Sequence, residues 1–278
     1  MTNTHPPLRR RTLLGLLAAA AAIVTTSLGV VSATATAKLD KGSSVKPTIV
    51  LVHGAFADSS SWNGVVQRLS RKGYNVIAPA NPLRNLASDT QYLKDFLNTV
   101  EGPIVLVGHS YGGMVLTNAA TGDPDVKALV YIAAFAPALG EKAGELSAGG
   151  GLGPTTLSFR PYTKADGSMG TDGYITPSEY RRVFAADVPQ SVTWTMALTQ
   201  RPADLAILGD PSGEPAWKTI PSWFMVAKND MTIPPAAERM MAKRAGSTTI
   251  EVNASHSVAV SRPATVANFI ILAAKAVS

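Results

Sequence analysis

From Thr48 to the C-terminus, short uninterrupted apolar runs alternate with stretches whose apolar residues return every three or four positions. Thr48-Ile-Val-Leu-Val52 is continuous and β-branched, the pattern of a strand covered on both faces. Ser61 to Lys72 then carries Trp62, Val65, Val66 and Leu69 at helical spacing and stops at Gly73. The rhythm continues with predicted strands over Tyr74–Ala78, Ile104–Val107, Lys127–Ala134, Ser222–Ala227 and Thr248–Val252. Between and after them, helices are predicted over Asp89–Val100, Ser110–Ala120, Pro234–Ala245 and Arg262–Ala276. Alternation of this kind, with apolar strands, predicts an α/β domain over residues 47–278: a mostly parallel sheet with helices on both faces. Ligands of such sheets bind outside the carboxyl ends of the strands.

One section breaks the rhythm. Pro137 to Pro221 shows no clear buried strand and opens on Gly140, Gly144, Gly149, Gly150, Gly151 and Gly153. It then offers helices over Pro177–Ala186 and Pro189–Gln200, and enough aromatic residues (Phe159, Tyr162, Phe184 and Trp194 among them) to argue against disorder. An inserted helical cap over about residues 137–220, hinged by the glycines, is expected.

The N-terminal segment follows a different pattern. Arg9, Arg10 and Arg11 precede an uncharged run, Leu13 to Val31, which closes on the alternating small residues of Ser32 to Ala37. Basic, then apolar, then A-x-A is the order of an export signal, here residues 1–37, followed by a linker over 38–46. Arg10-Arg11-Thr12-Leu13-Leu14 fits a twin-arginine signal, which predicts a bacterial protein exported to the periplasm or beyond. An uncleaved membrane anchor is the alternative, since the run is 19 residues long, but its threonines and serine weaken it as a span. Cleavage would leave no stable membrane association. There is no cysteine, so neither disulfides nor a lipid-modified cysteine can stabilise or anchor the mature chain. Without the three signal arginines the net charge falls from +6 to +3, and the remaining basic residues are scattered. A nucleic-acid partner is not indicated.

The chemistry concentrates in Gly108-His109-Ser110-Tyr111-Gly112, a G-x-S-x-G between a predicted strand and a predicted helix. A serine hydroxyl is a weak nucleophile unless it stands free of the sheet, near a base and near amide donors. A sharp strand–turn–helix elbow does this, and it leaves no room for side chains on the flanking glycines. The base must be a histidine, and the chain has four. His5 lies in the signal, His53 ends the first strand and His109 belongs to the elbow, which leaves His256. The third member should be an acid after Ser110 and before His256, at the end of another strand; Asp230 fits, with Asp204 and Asp210 as weaker candidates in the cap. Oxyanion donors are expected from the backbone N–H of Tyr111 and from Ala55 in the loop His53-Gly54-Ala55-Phe56, with Phe56 the neighbouring candidate. His53 is expected to fix this loop by hydrogen bonds.

Taken together, Val52-His-Gly-Ala55 with Trp62, Gly108 to Gly113, Asp230-Met-Thr-Ile-Pro234, and His256 followed by Arg262-Pro263 resemble the α/β-hydrolase superfamily, in its cofactor-independent esterase branch. The resemblance implies a serine hydrolase acting on small-molecule carboxylic esters, lactones included, with no cofactor and no metal. It leaves the oligomeric state open. Plant-type hydroxynitrile lyases share the scaffold but resemble His-Thr in the oxyanion loop and carry a lysine after the catalytic histidine; Gly54 and Ser257 stand at those places here. Those residues put the chain on the hydrolase side; a ligand-binding receptor on the same scaffold, and carbon–carbon or cyanohydrin lyase or perhydrolase chemistry, are the alternatives.

Overall fold

The computed structural model describes residues 46–278, so the predicted signal and all of the linker but Lys46 lie outside the described residues. Six strands form one sheet: β1 (Thr48–Val52), β2 (Val76–Ile77), β3 (Ile104–Ser110), β4 (Val126–Ala134), and after a long insert two more, Ser222–Ala227 and Thr248–Val252. Inside the insert lie β5 (Leu157–Thr163), β6 (Met169–Ile175) and β7 (Ala203–Asp204), so the last two strands of the main sheet are β8 and β9. The main sheet has the order β2-β1-β3-β4-β8-β9, every pair parallel. The chain steps outward from β1 to β2, then crosses back to β3 on the far side of β1. That reversal opens a crevice at the carboxyl ends of β1 and β3.

The uninterrupted apolar runs are explained by burial on both faces, complete along β1 and β3. Ile49, Leu51, Val105 and Val107 meet helices α1 (Asn63–Arg71) and α10 (Pro263–Ala276), together with Trp62. Val50, Val52, Ile104 and Leu106 face α2 (Leu86–Leu97), α3 (Tyr111–Ala119) and α8 (Pro235–Arg244). Each such aliphatic side chain contributes about 1.5–3 kcal/mol on burial. The remaining helices are α4 (Ala143–Leu146), α5 (Pro177–Phe184), α6 (Gln190–Thr199) and α7 (Ala206–Gly209) in the insert, and the short α9 (Val258–Ser261). Pro177, Pro235 and Pro263 each open their helix, where a missing N–H costs nothing.

The insert carries the two expected helices, α5 and α6, and also a sheet that was not expected. β5 and β6 form an antiparallel hairpin joined by β7, in the order β5-β6-β7. Pro161 sits on the edge strand β5, where a proline costs no ladder bond. Among the described residues no helix is long and apolar enough to cross a membrane.

Candidate active site

β3 ends on Ser110 and α3 begins on Tyr111, with no residue between them. So abrupt a reversal puts Ser110 at φ 53°, ψ −125°. A residue with a side chain occupies that region at a cost of order 1–3 kcal/mol, which the surrounding packing must offset. The neighbouring glycines are steric necessities. A Cβ on Gly108 would lie 2.4 Å from Leu116, and one on Gly112 would lie 2.4 Å from the Val52 carbonyl oxygen. The phenol of Tyr111 donates to Asp89 at 3.0 Å, and Asp89, fully buried, also accepts the Arg84 N–H. Burial pushes the Asp89 carboxyl up from its usual range. This bond ties the first residue of α3 to α2.

The loop after β1 lies against the elbow. A Cβ on Gly54 would fall 2.6 Å from Ser110 Cβ and 3.2 Å from its Oγ, so only glycine lets the loop come this close. His53 is hydrogen-bonded within the loop, and its bonds fix its tautomer. Nε2 accepts the Asn81 N–H at 2.9 Å, so Nδ1 carries the proton and donates to the Gly54 carbonyl at 2.9 Å. Asn81 Nδ2 closes the arrangement on the His53 carbonyl at 3.0 Å. Burial holds the His53 imidazole below its usual range. Ala55, Ser110 and Tyr111 border one cavity of about 40 Å³. The Tyr111 N–H is the first of its helix and so has no intrahelical acceptor. The Ala55 N–H makes no backbone hydrogen bond among the described residues.

Asp230 and His256 meet as the chain order implied. His256 Nδ1 lies 2.5 Å from Asp230 Oδ2, and both side chains are fully buried. The other carboxyl oxygen, Oδ1, accepts the N–H groups of Thr232 at 2.6 Å and Ile233 at 2.9 Å, which fixes the carboxyl plane. With Nδ1 committed to Asp230, the second ring nitrogen, Nε2, is buried and has no hydrogen-bond partner. Ser110 makes no hydrogen bond to it, so the serine–histidine link is open in this structure. The ring nevertheless sits beside the elbow: its centroid is 4.7 Å from that of His109, whose Nε2 donates to the His256 carbonyl at 2.9 Å. Complete burial, with His256 adjacent, holds His109 well below its usual range, so it acts as a neutral strut. Phe184, at the end of α5, covers the His256 ring at 4.8 Å.

Other carboxylates of the insert are engaged elsewhere. Asp204 borders the cavity but accepts from the Tyr162 hydroxyl at 2.7 Å and pairs with Lys164 at 3.2 Å. Asp210 accepts the Leu86 N–H at 2.8 Å and so caps α2. Of the cap aromatics, Phe184 reaches the site, whereas Trp194 is 55% exposed. Asn81, Asp89 and Glu238 were not anticipated from the sequence. Glu238 is completely buried behind the acid; its Oε2 accepts the Ala227 N–H at 3.1 Å, and Oε1 has no partner. Burial, with Asp230 nearby, pushes its carboxyl well above the usual range. Only the strand-end position of Asn81 in a proline-bounded loop could have hinted at its role; nothing in the local pattern marks Glu238. Among the described residues, no group of three His, Asp or Glu is placed to hold a metal ion.

Residues 49–269 match the model of the alpha/beta hydrolase family, and the chain belongs to that family. It is similar to an alpha/beta hydrolase of Aspergillus novofumigatus, 26% identical over 220 residues, covering 72% of this chain and 84% of the relative. A carbendazim hydrolyzing esterase from a Nocardioides strain is 33% identical over 106 residues, 33% of this chain and 43% of its own length. Among solved structures, a pyrethroid hydrolase from Sphingobium faniae superposes with a TM-score of 0.66 at 24% identity, over 83% of this chain and 98% of that one, a likeness of fold.

Proposed function

We propose that this carboxylic ester hydrolase works through Ser110, His256 and Asp230 and an acyl-enzyme. Ser110 Oγ attacks the ester carbonyl while His256 Nε2 takes its proton; the same nitrogen then protonates the departing alkoxide. Water, deprotonated by Nε2, attacks the acyl carbon and releases the acid, returning the proton to Ser110. Asp230 keeps the imidazole in the tautomer with a free Nε2 and stabilises the imidazolium that forms at each step. The amides of Ala55 and Tyr111 hold the negative oxygen of the tetrahedral intermediates. Lactones, as cyclic esters, react by the same attack.

One observation carries the reading: a buried imidazole with Nδ1 bound to a carboxyl at 2.5 Å and Nε2 left without a partner, packed 4.7 Å from the ring of His109, whose chain neighbour is the serine held at φ 53°. The open Ser110–His256 link does not argue against it, because such bonds often tighten only once substrate is bound. Export through the N-terminal segment belongs to the same reading, and supporting it is the basic, apolar, small-residue order of residues 9–37. N-terminal sequencing of protein recovered from the medium checks that part.

The direct test is a fluorophosphonate probe followed by peptide mapping, alongside turnover of p-nitrophenyl acetate and butyrate. Label on Ser110, and turnover lost in Ser110→Ala, is the expected result. Turnover that survives in Ser110→Ala would remove the nucleophile, and with it the mechanism.

A further inference from the structure

The cavity over Ser110 is small for the reaction proposed there. Its volume of about 40 Å³ has room for only a few water molecules, each needing about 10–15 Å³. Sites that enclose small organic ligands run to about 300–1,000 Å³. A second cavity, of about 500 Å³, opens between α6 and the turn Ser59–Trp62. One residue, Phe56, borders both.

Phe56 is built as a partition. Its backbone is held at φ 58°, a left-handed conformation that a bulky side chain rarely adopts, and its carbonyl accepts the Tyr180 hydroxyl at 2.9 Å. The backbone is therefore pinned from the insert, which leaves rotation of the side chain as the movement that would join the two spaces. That ring meets Phe184 edge-on, centroids 6.5 Å apart, and Phe184 in turn covers His256. The walls of the larger cleft set Tyr180, Val192, Met196 and Val260 among neutral serine, threonine and glutamine side chains, with no lysine, arginine or histidine among them. Its one carboxylate, Asp58, is occupied in capping the turn through the Ser60 N–H at 2.7 Å. A neutral apolar group suits these walls, and a carboxylate does not.

We propose that the cleft is the outer compartment of the substrate site. It takes the long apolar arm of a neutral ester, acyl or alcohol, while the reacting carbonyl sits at Ser110 and the Phe56 ring turns aside to join the two spaces. This rests on the serine-hydrolase reading above.

The test compares kcat/KM for p-nitrophenyl octanoate with that for p-nitrophenyl acetate, and octyl acetate with ethyl acetate. Met196→Trp, which fills the cleft from a half-buried helix position, is expected to lower the long-to-short ratio by about ten-fold or more in at least one pair. Phe56→Ala is expected to raise the same ratio, and the pair affected tells which arm lies in the cleft. Trp194→Ala, on the outer side of α6, should leave both ratios in place. A second readout needs no turnover: p-nitrophenyl octanoate titrated into Ser110→Ala by calorimetry should bind about ten-fold more weakly when Met196→Trp is added. Ratios and binding unmoved by Met196→Trp and Phe56→Ala would overturn the outer compartment, and would leave the hydrolase reading intact wherever wild-type turnover depends on Ser110.

Discussion

The six-stranded sheet and the insert that covers it follow opposite construction rules. In the sheet, the proposed catalytic groups hang from the carboxyl ends of strands: Ser110 closes the buried β3, Asp230 follows the buried β8, and His256 follows the more exposed edge strand β9. In the insert, β5 is exposed along most of its length. The rest of the insert shares the buried core of the sheet through residues such as Ile175, Tyr180, Val183 and Phe184, and polar links add to it, among them Arg84 to Asp172, the Leu86 N–H to Asp210, the Thr232 hydroxyl to the Val183 carbonyl and the Ser257 N–H to the Phe184 carbonyl. Error in a reactive group's position is expensive, about 100-fold in rate for 1 Å. The difference teaches where the molecule tolerates change: groups that must not move belong to the sheet, and within the insert the exposed edge of the hairpin, tied to the sheet domain through Arg84, has the most freedom.

The strongest way to break this contrast is at the acid. In Asp230→Asn the remaining amide oxygen still accepts the Thr232 and Ile233 N–H groups, but the amide N–H₂ then faces Nδ1. The imidazole must accept there, so its proton moves to Nε2 and the base is lost. A loss of about 10⁴-fold in kcat with an unchanged circular dichroism spectrum is expected. Asp204→Asn, which disturbs only the ties to Tyr162 and Lys164 within the insert, should cost far less. The reverse ranking would mean that the insert supplies the acid.

The buried Glu238 provides a second, smaller effect, confined to the sheet side. Its folded-state carboxyl titrates well above the unfolded value of 4.5, chiefly because of burial and next because Asp230 is close. Its contribution to stability is therefore complete below pH 4.5, and it declines as pH rises toward the folded value, because the unfolded chain releases that proton first. Over that window wild type should lose about 1.4 kcal/mol per pH unit relative to Glu238→Gln, which has no proton to release. Thermal unfolding of the two proteins from pH 4 upward reads this directly. Parallel curves would show that Glu238 is already ionised in the folded chain.

The same contrast explains what could be read from the sequence. β1, β3, β4 and β8 were legible because burial on both faces leaves long, mostly apolar runs, and the elbow because its glycines admit no substitute. The candidate histidine was picked out by exclusion and the candidate acid by chain order, and the structure brings the two within 2.5 Å; both rules come from the chemistry and do not depend on how the cap folds. The insert's hairpin was not legible. β5 carries Arg160 and Pro161 at its centre, and β6 contains Gly170, Asp172 and Gly173, all residues that in a single chain signal a loop. Pairing rescues them. The Tyr162 ring lies over Gly170, its partner in register, where a Cβ would be only 2.5 Å away, and Asp172 is met by Arg84 from the sheet domain. Contacts 88 residues apart in sequence leave no local trace. Glu238 was missed for a related reason: one glutamate in Pro-Ala-Ala-Glu-Arg reads as a solvated helix position until α8 is seen to turn it toward β8.

Arg84 is where the two regions can be separated with the smallest perturbation. Its guanidinium donates to Asp172 at 2.8 Å and to the Pro202 carbonyl at 3.1 Å, and it lies 5.1 Å over the Tyr162 ring. Arg84→Met keeps the aliphatic stem and removes the donors. The guanidinium is about one-third exposed, so the loss should be modest, about 1–2 kcal/mol. It should also be local. Hydrogen exchange is expected to quicken across residues 157–175 and to stay slow across residues 104–110, because the insert opens without the sheet. Exchange that quickened equally in both segments would show that sheet and insert unfold as one unit, and the division of labour between them would fail.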